Sequence, residues 1–106
     1  MVKRSIVWTK TAARQRREIL LFWTKRNRSI SFAEKLIRLT EKRIQIILKH
    51  PESFKSATYP ETRESAMGHF SIFYKFTKEN LIITAFWDNR QDPKKLYEII
   101  NKPNIT

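Results

Sequence analysis

Cysteine is absent from this 106-residue chain. That excludes disulfides, a thiolate nucleophile and zinc–thiolate sites, and it suits a reducing cytosol. Glycine occurs once. There is accordingly no glycine-rich phosphate loop, and few backbone positions are expected to need positive φ. The two histidines, His50 and His69, fall at different kinds of element end, and no carboxylate lies at ligand spacing from either. Neither metal catalysis nor a Ser-His-Asp triad is expected, and no cofactor is implied. No apolar run approaches the roughly 20 residues needed to span a bilayer. The N-terminus also lacks the long apolar stretch of a secretion signal. The expectation is a cytoplasmic protein with no membrane segment.

Acidic residues are scarce too: 10 against 22 Lys and Arg, a net charge of +12. The placement is lopsided. Residues 1–50 hold 14 basic and 3 acidic side chains, whereas residues 51–106 hold 8 and 7. Such a field favours a polyanion or an acidic protein, and it speeds encounter more than it selects a partner. The plainer alternative is a solvated basic surface that keeps the protein soluble. What is abundant is apolar: 41% hydrophobic residues and thirteen aromatics (three Trp, three Tyr, seven Phe). A real core is available to one domain spanning residues 1–106, a common domain size.

Periodicity gives the order of elements. Ser5 to Trp8 reads as a short strand. Thr9 or Thr11 then caps a helix whose Ala12, Ile19, Leu20 and Trp23 share one face, while Lys10, Arg14, Arg17 and Lys25 point elsewhere. Asn27-Arg28-Ser29 breaks the pattern. A second helix starts near Ser31, where Ser31 and Glu34 have capping-box spacing. Ala33, Leu36, Ile37, Ile44, Ile47 and Leu48 form its stripe, and Pro51 stops it. Two long helices joined by so few residues lie antiparallel. Residues 52–68 read as irregular, with a strand from Ala57 to Arg63 interrupted at Pro60. Phe70, Ile72, Tyr74 and Phe76 alternate cleanly with Ser71, Phe73, Lys75 and Thr77. Lys78-Glu79-Asn80 forms a hairpin turn. Leu81 to Trp87 is apolar on both faces and reads as a more central strand. Asp92-Pro93 starts a last short helix that docks through Leu96, Tyr97 and Ile100. The predicted fold is α+β: β-α-α-β-β-β with a short C-terminal helix, a twisted, antiparallel-type sheet packed on a helical hairpin.

The residues that can carry chemistry are Arg63, His69, Arg90 and Tyr97, with Lys49 and Lys55 near the end of the second helix. Cleavage of RNA through the 2′-hydroxyl needs a proton acceptor, cations for the developing phosphorane charge and a proton donor. Arginine suits the phosphate because its planar fork stays charged, and histidine or tyrosine can move protons. Against this, Glu61, Glu64, Asp88 and Asp92 stand beside the two arginines, so ordinary ion pairs account for them equally well. For binding rather than catalysis, the candidates are Lys10, Arg14, Arg17, Lys49, Lys55 and Trp87. Met67 and Phe73 are further apolar candidates, although packing explains such residues more simply.

Several segments, taken in order, resemble one family. They are Trp8-Thr9-Lys10-Thr11-Ala12, Phe22-Trp23, Thr62-Arg63, Gly68-His69-Phe70-Ser71-Ile72-Phe73-Tyr74 and Phe86-Trp87-Asp88-Asn89-Arg90-Gln91-Asp92-Pro93. Together they resemble the RelE/ParE superfamily, the small toxins of bacterial type II toxin–antitoxin (plasmid stabilisation) modules, over roughly residues 5 to 95. The resemblance implies a bacterial cytoplasmic growth inhibitor neutralised by a cognate acidic antitoxin. RelE-type members are ribosome-dependent mRNA endonucleases that carry an arginine directly after the Gly-x-aromatic element, where this chain has Ser71. Arg90 matches their later basic residue, and Tyr97 falls one residue out of register with their terminal tyrosine or histidine. ParE-type members inhibit DNA gyrase and resemble Thr62-Arg63, Gly68-His69-Phe70, Tyr74 and Arg90-x-Asp92-Pro93. Ser71 tilts the pattern toward ParE. Gyrase and a ribosome–mRNA complex both remain open as targets, and a non-toxic nucleic-acid-binding role for the basic hairpin is a third reading. The oligomeric state is not legible.

Overall fold

A computed structural model describes residues 3–101. The chain runs β1 (Ser5–Trp8), α1 (Lys10–Asn27), α2 (Ser31–Lys49), a 3₁₀ turn (Pro51–Ser53), β2 (Lys55–Ser56), β3 (Arg63–Met67), β4 (Phe70–Phe76), β5 (Asn80–Asp88) and α3 (Pro93–Asn101). Thr9 starts α1 from an extended conformation, and its hydroxyl accepts the amide of Ala12 at 3.1 Å. The helix ends on Arg28, which adopts φ +51° and donates its N–H back to the last turn. This is a left-handed helix end, a position that glycine usually fills.

The capping box at Ser31 does not form. Ser31 lies inside α2, Ile30 takes the cap position, and no side chain caps it. The hydroxyl of Ser29 accepts the Ser31 amide instead, at 3.1 Å. The chain turns so sharply out of Arg28 that the serine two residues earlier is the nearer acceptor.

The predicted strand over residues 57–63 is also corrected. Tyr59 to Glu61 form a turn, with Glu61 at φ +55° and the Thr62 amide donating to the Tyr59 carbonyl at 3.2 Å. Two strands flank it: β2, too short to read from pattern, and β3. Proline and a left-handed residue side by side make a turn rather than a bulge. Of the three positive-φ residues described, only Gly68, between β3 and β4, is glycine.

The five strands order β1-β5-β4-β3-β2. Three neighbouring pairs are antiparallel, but β1 pairs with β5 in parallel, so the sheet is mixed. That parallel pairing follows from α1 and α2 intervening between β1 and the rest, a crossover connection. An irregularity places Phe73 opposite Ala85 and Tyr74 opposite Ile83, so Thr84 is the extra residue. It re-phases β5. Ile83 and Phe86 therefore share the hairpin face, while Ala85 and Trp87 point to the other.

Each face of the sheet has its own core. On the hairpin side, Ala12 and Ile19 from α1 and Leu36, Ile44 and Ile47 from α2 pack on Phe70, Ile72, Tyr74, Leu81, Ile83 and Phe86. On the other side, Leu96 of α3 packs with Tyr59, Phe73, Ala85 and Trp87. Tyr74 is fully buried and donates its hydroxyl to the carbonyl of Pro51, tying the end of α2 to the centre of the sheet.

Candidate functional site

The polar run after β5 folds on itself before it can face a partner. Asp88 accepts the backbone amide of Arg90 at 3.0 Å. It then takes the guanidinium in a two-point fork, Nε to Oδ1 at 2.9 Å and Nη2 to Oδ2 at 2.8 Å. Such a fork is the strong form of the arginine–carboxylate pair. The fork lays the guanidinium over Trp23 at 4.7 Å and Phe70 at 5.7 Å. Burial would raise the pKa of Asp88. The side-chain and backbone hydrogen bonds from Arg90, with the charges of Arg90 and His69, outweigh it and hold the carboxyl below its usual range. Asp92 accepts the Lys94 amide at 3.0 Å and so starts α3.

Arg63 and Arg90 do not converge. Arg63 sits opposite Tyr74, and Asp88 opposite Phe70. Those β4 positions are four residues apart, about 13 Å along the strand at about 3.3 Å per residue. Nη1 of Arg63 donates to the Phe54 carbonyl at 2.6 Å, so this arginine fastens the segment after α2 to the sheet. Its partner is thus a main-chain oxygen rather than Glu61 or Glu64. His69 is exposed at the β3–β4 turn, and its carbonyl accepts the Asn89 amide at 2.7 Å, which places it at the Arg90 end. Tyr97 lies on the opposite face, on α3, 59% exposed and with its ring 6.1 Å from that of Tyr59. Burial, with the charges of Glu64 and Tyr97, raises the pKa of Tyr59.

Ser71 is fully buried on the α3 side of the sheet. Its hydroxyl donates to Glu64 Oε2 at 2.6 Å and accepts from Asn89 Nδ2 at 2.8 Å, and Lys55 Nζ stands 3.7 Å from Glu64 Oε1. A polar chain therefore runs across β2, β3 and β4 from Lys55 to Asn89, just past the end of β5, with a carboxylate at its middle. Lys55 stays largely exposed at its outer end. Trp87 is 6% exposed and packs under α3 with Phe73, and Met67 is likewise buried. Lys10, Arg14, Arg17 and Lys49 are exposed on the helices.

The family model for the ParE toxin of type II toxin–antitoxin systems, parDE, matches residues 6–93. The chain belongs to the ParE toxin family. Its fold is similar to that in a structure described as the chromosomal ParDE system of P. aeruginosa, with TM-score 0.68 and 15% identity over 79% of this chain and 94% of that one. It is also similar to a chain of the E. coli DinJ–YafQ toxin–antitoxin complex, with TM-score 0.53 and 7% identity over 84% and 96% of the two chains. No curated protein matches the sequence significantly.

In this ParE-family toxin a groove of about 640 Å³ opens between α1, the turn after β5 and α3. Ile19, Phe22, Trp23, Phe86 and Trp87 give it apolar walls, and Arg14, Arg26, Arg90 and Lys95 outnumber the two acids, Glu18 and Asp88, that also line it. Gln15 explains how the groove arises. Beyond Ile83, β1 no longer covers the edge of β5, and Gln15 Oε1 accepts the Phe86 amide at 2.9 Å in its place. Gln15 is 6% exposed, and its Nε2 has no acceptor among the described residues. Sequence reasoning missed Gln15, although a glutamine in line with Ala12 and Ile19 on a buried stripe was a visible signal. It missed Glu64 and Asn89 because their partnership with Ser71 depends on strand register. Among the described residues no three of His, Cys, Asp and Glu cluster to hold a metal, and no helix is long and apolar enough to cross a membrane.

Proposed function

We propose that this toxin arrests growth by binding DNA gyrase rather than by cutting RNA, and that an acidic antitoxin neutralises it through the groove beside Gln15. The observation that carries the target is the environment of Ser71. Where a nuclease of this fold needs a cation against phosphate, this chain places a hydroxyl bonded to the Glu64 carboxylate. A carboxylate there repels a phosphate. The other candidates support the same reading. Arg90 is neutralised by Asp88, Arg63 by position is a structural tie, and Tyr97 stands on the face opposite both. Phosphate chemistry needs its groups within hydrogen-bond reach of one substrate, and these groups are not.

The groove supplies the antitoxin reading. An amphipathic acidic segment would set apolar side chains against Phe22, Trp23 and Phe86, and its carboxylates against the basic wall. The unpaired Nε2 of Gln15 would receive a carbonyl or carboxylate oxygen. The test is induction in bacteria without any antidote. Arrest is expected, accompanied by a DNA-damage response and by intact mRNA. Normal growth would remove toxicity, and arrest with mRNA cut inside codons would replace gyrase by the ribosome.

A further inference from the structure

Six of the arginines are engaged by the protein itself. Arg4 donates to the Thr77 carbonyl, Arg43 to Ser65 and the Ala66 carbonyl, Arg63 to Phe54 and Arg90 to Asp88. Arg16 and Arg26 lie over Trp8 and Trp23. The outer face of the helical hairpin gathers seven more. On α1, Lys10, Arg14 and Arg17 recur at helical spacing on the side opposite the buried Ala12, Gln15 and Ile19. On α2, Lys35, Arg38 and Lys42 do the same opposite Leu36, Thr40, Ile44 and Ile47, and Lys49 extends the row. All seven are exposed. Among the described residues only Arg14 has a carboxylate within reach, Glu18 at 4.0 Å.

Both helices bury their inner stripes on the same sheet face, so both rows point the same way. Packed helices lie about 8–10 Å apart. Within the α2 row, Lys35, Lys42 and Lys49 repeat every seven residues, about 10.5 Å along the axis at about 1.5 Å per residue. The result is a face about two helices wide with two lines of charge, in which only Arg14 has an acidic partner among the described residues. We infer that this face binds the phosphate backbone of duplex DNA without reading its sequence.

Three other anionic partners fit less well. An anionic bilayer needs an extended apolar helix face to insert; the main apolar stripes of α1 and α2 are buried on the sheet, and only scattered residues such as Leu21, Leu39 and Ile46 stay exposed among the cations. An acidic protein segment needs an apolar groove, and the groove described above lies at the flank of α1, away from the α2 row. Duplex DNA presents about one charge per 1.7 Å of axis, a density suited to long rows of cations. The preference for DNA over RNA rests on the gyrase reading, since gyrase carries duplex DNA. The existence of a polyanion face does not depend on it.

The test is fluorescence anisotropy of the full chain with a labelled duplex of about 20 base pairs, over a salt series, with no gyrase present. Wild type is expected to bind with a steep salt dependence. For about six phosphate contacts, log K falls with log salt with a slope near −5. The triple variant K35E/R38E/K42E should lose about three contacts, lowering the slope by about 3 and the affinity more than tenfold. Its circular dichroism should be unchanged because all three residues are exposed. The control variant K3E/K78E/K94E changes net charge equally at exposed positions away from the hairpin, and it should bind nearly as wild type does. Equal loss in both variants would show that only net charge matters and would overturn the assignment. Absence of wild-type binding, tighter binding to duplex RNA, or equal binding to phosphatidylglycerol vesicles would also overturn it. Gyrase inhibition in a separate assay without DNA binding here would sink this inference alone and leave the toxin reading standing.

Discussion

Replacing Tyr74 by phenylalanine removes one oxygen from a fully buried polar contact. Tyr74 has no exposed surface, and its hydroxyl donates to the carbonyl of Pro51, itself buried. Its ring meets Phe54 edge-on at 6.4 Å, and phenylalanine keeps that packing. The variant therefore isolates the hydrogen bond. It leaves a buried carbonyl without a donor, a loss of about 1–3 kcal/mol. For a domain of this size each kcal/mol shifts the melting temperature by roughly 4–8 °C, so a fall on the order of 10 °C is expected. Urea unfolding at 25 °C should show a lower midpoint with an unchanged slope.

The same hydroxyl gives an alkaline signature. Burial, opposed by Arg63 and aided by Glu52, pushes the Tyr74 pKa up to about 12 from its ordinary 10.0. A group whose folded pKa is raised contributes stability below its unfolded pKa and loses it as pH climbs toward the folded value. Wild type should therefore lose stability between about pH 10 and 12 by this route, and the phenylalanine variant should not. A loss below about 0.5 kcal/mol, the range of ordinary surface changes, would mean that the contact does not hold α2 to the sheet.

Other outcomes follow from the same structure. Ile47→Ala empties a fully buried position between α2 and the sheet and should cost about 2–5 kcal/mol by calorimetry. Asp88→Asn should flatten the acid limb of a stability–pH curve. The lowered pKa of Asp88 means that wild type keeps this contribution above about pH 4 and loses it as pH falls further. Glu64→Gln weakens a charge-assisted bond from Ser71 and should lower stability by about 1–2 kcal/mol in denaturant titration, with growth arrest retained. His69→Ala and Tyr97→Phe should likewise leave arrest intact in cells. Arrest abolished by either, with the fold preserved by circular dichroism, would point back to proton transfer.

The order of the elements was legible because its signals are local. Thr9 as a cap, Pro51 as a stop and the alternation from Phe70 are each read within a few residues. What was not legible depends on contacts distant in sequence. The strands around Pro60 are set by a turn in which Glu61 takes a conformation no composition rule assigns to glutamate. The parallel pairing of β1 with β5 joins residues about 75 positions apart, and only the closed fold reveals it. β5 is apolar on both faces because each is covered by a core, and the extra residue at Thr84 that decides which side chain meets which core leaves no mark in the sequence. At the candidate site, the ion-pair account of Arg90 was available from Asp88 two residues away. The ties of Arg63 to Phe54 and of Ser71 to Glu64 were not, because both run between strands.

Whether the toxin disables gyrase by binding and leaves RNA alone is decided by one side-by-side measurement: the purified chain is added to gyrase with ATP and relaxed plasmid, and to ribosomes paused on a defined message. Blocked supercoiling or trapped cleaved plasmid is expected, with the message intact. Cleaved message with gyrase working normally would overturn the gyrase reading.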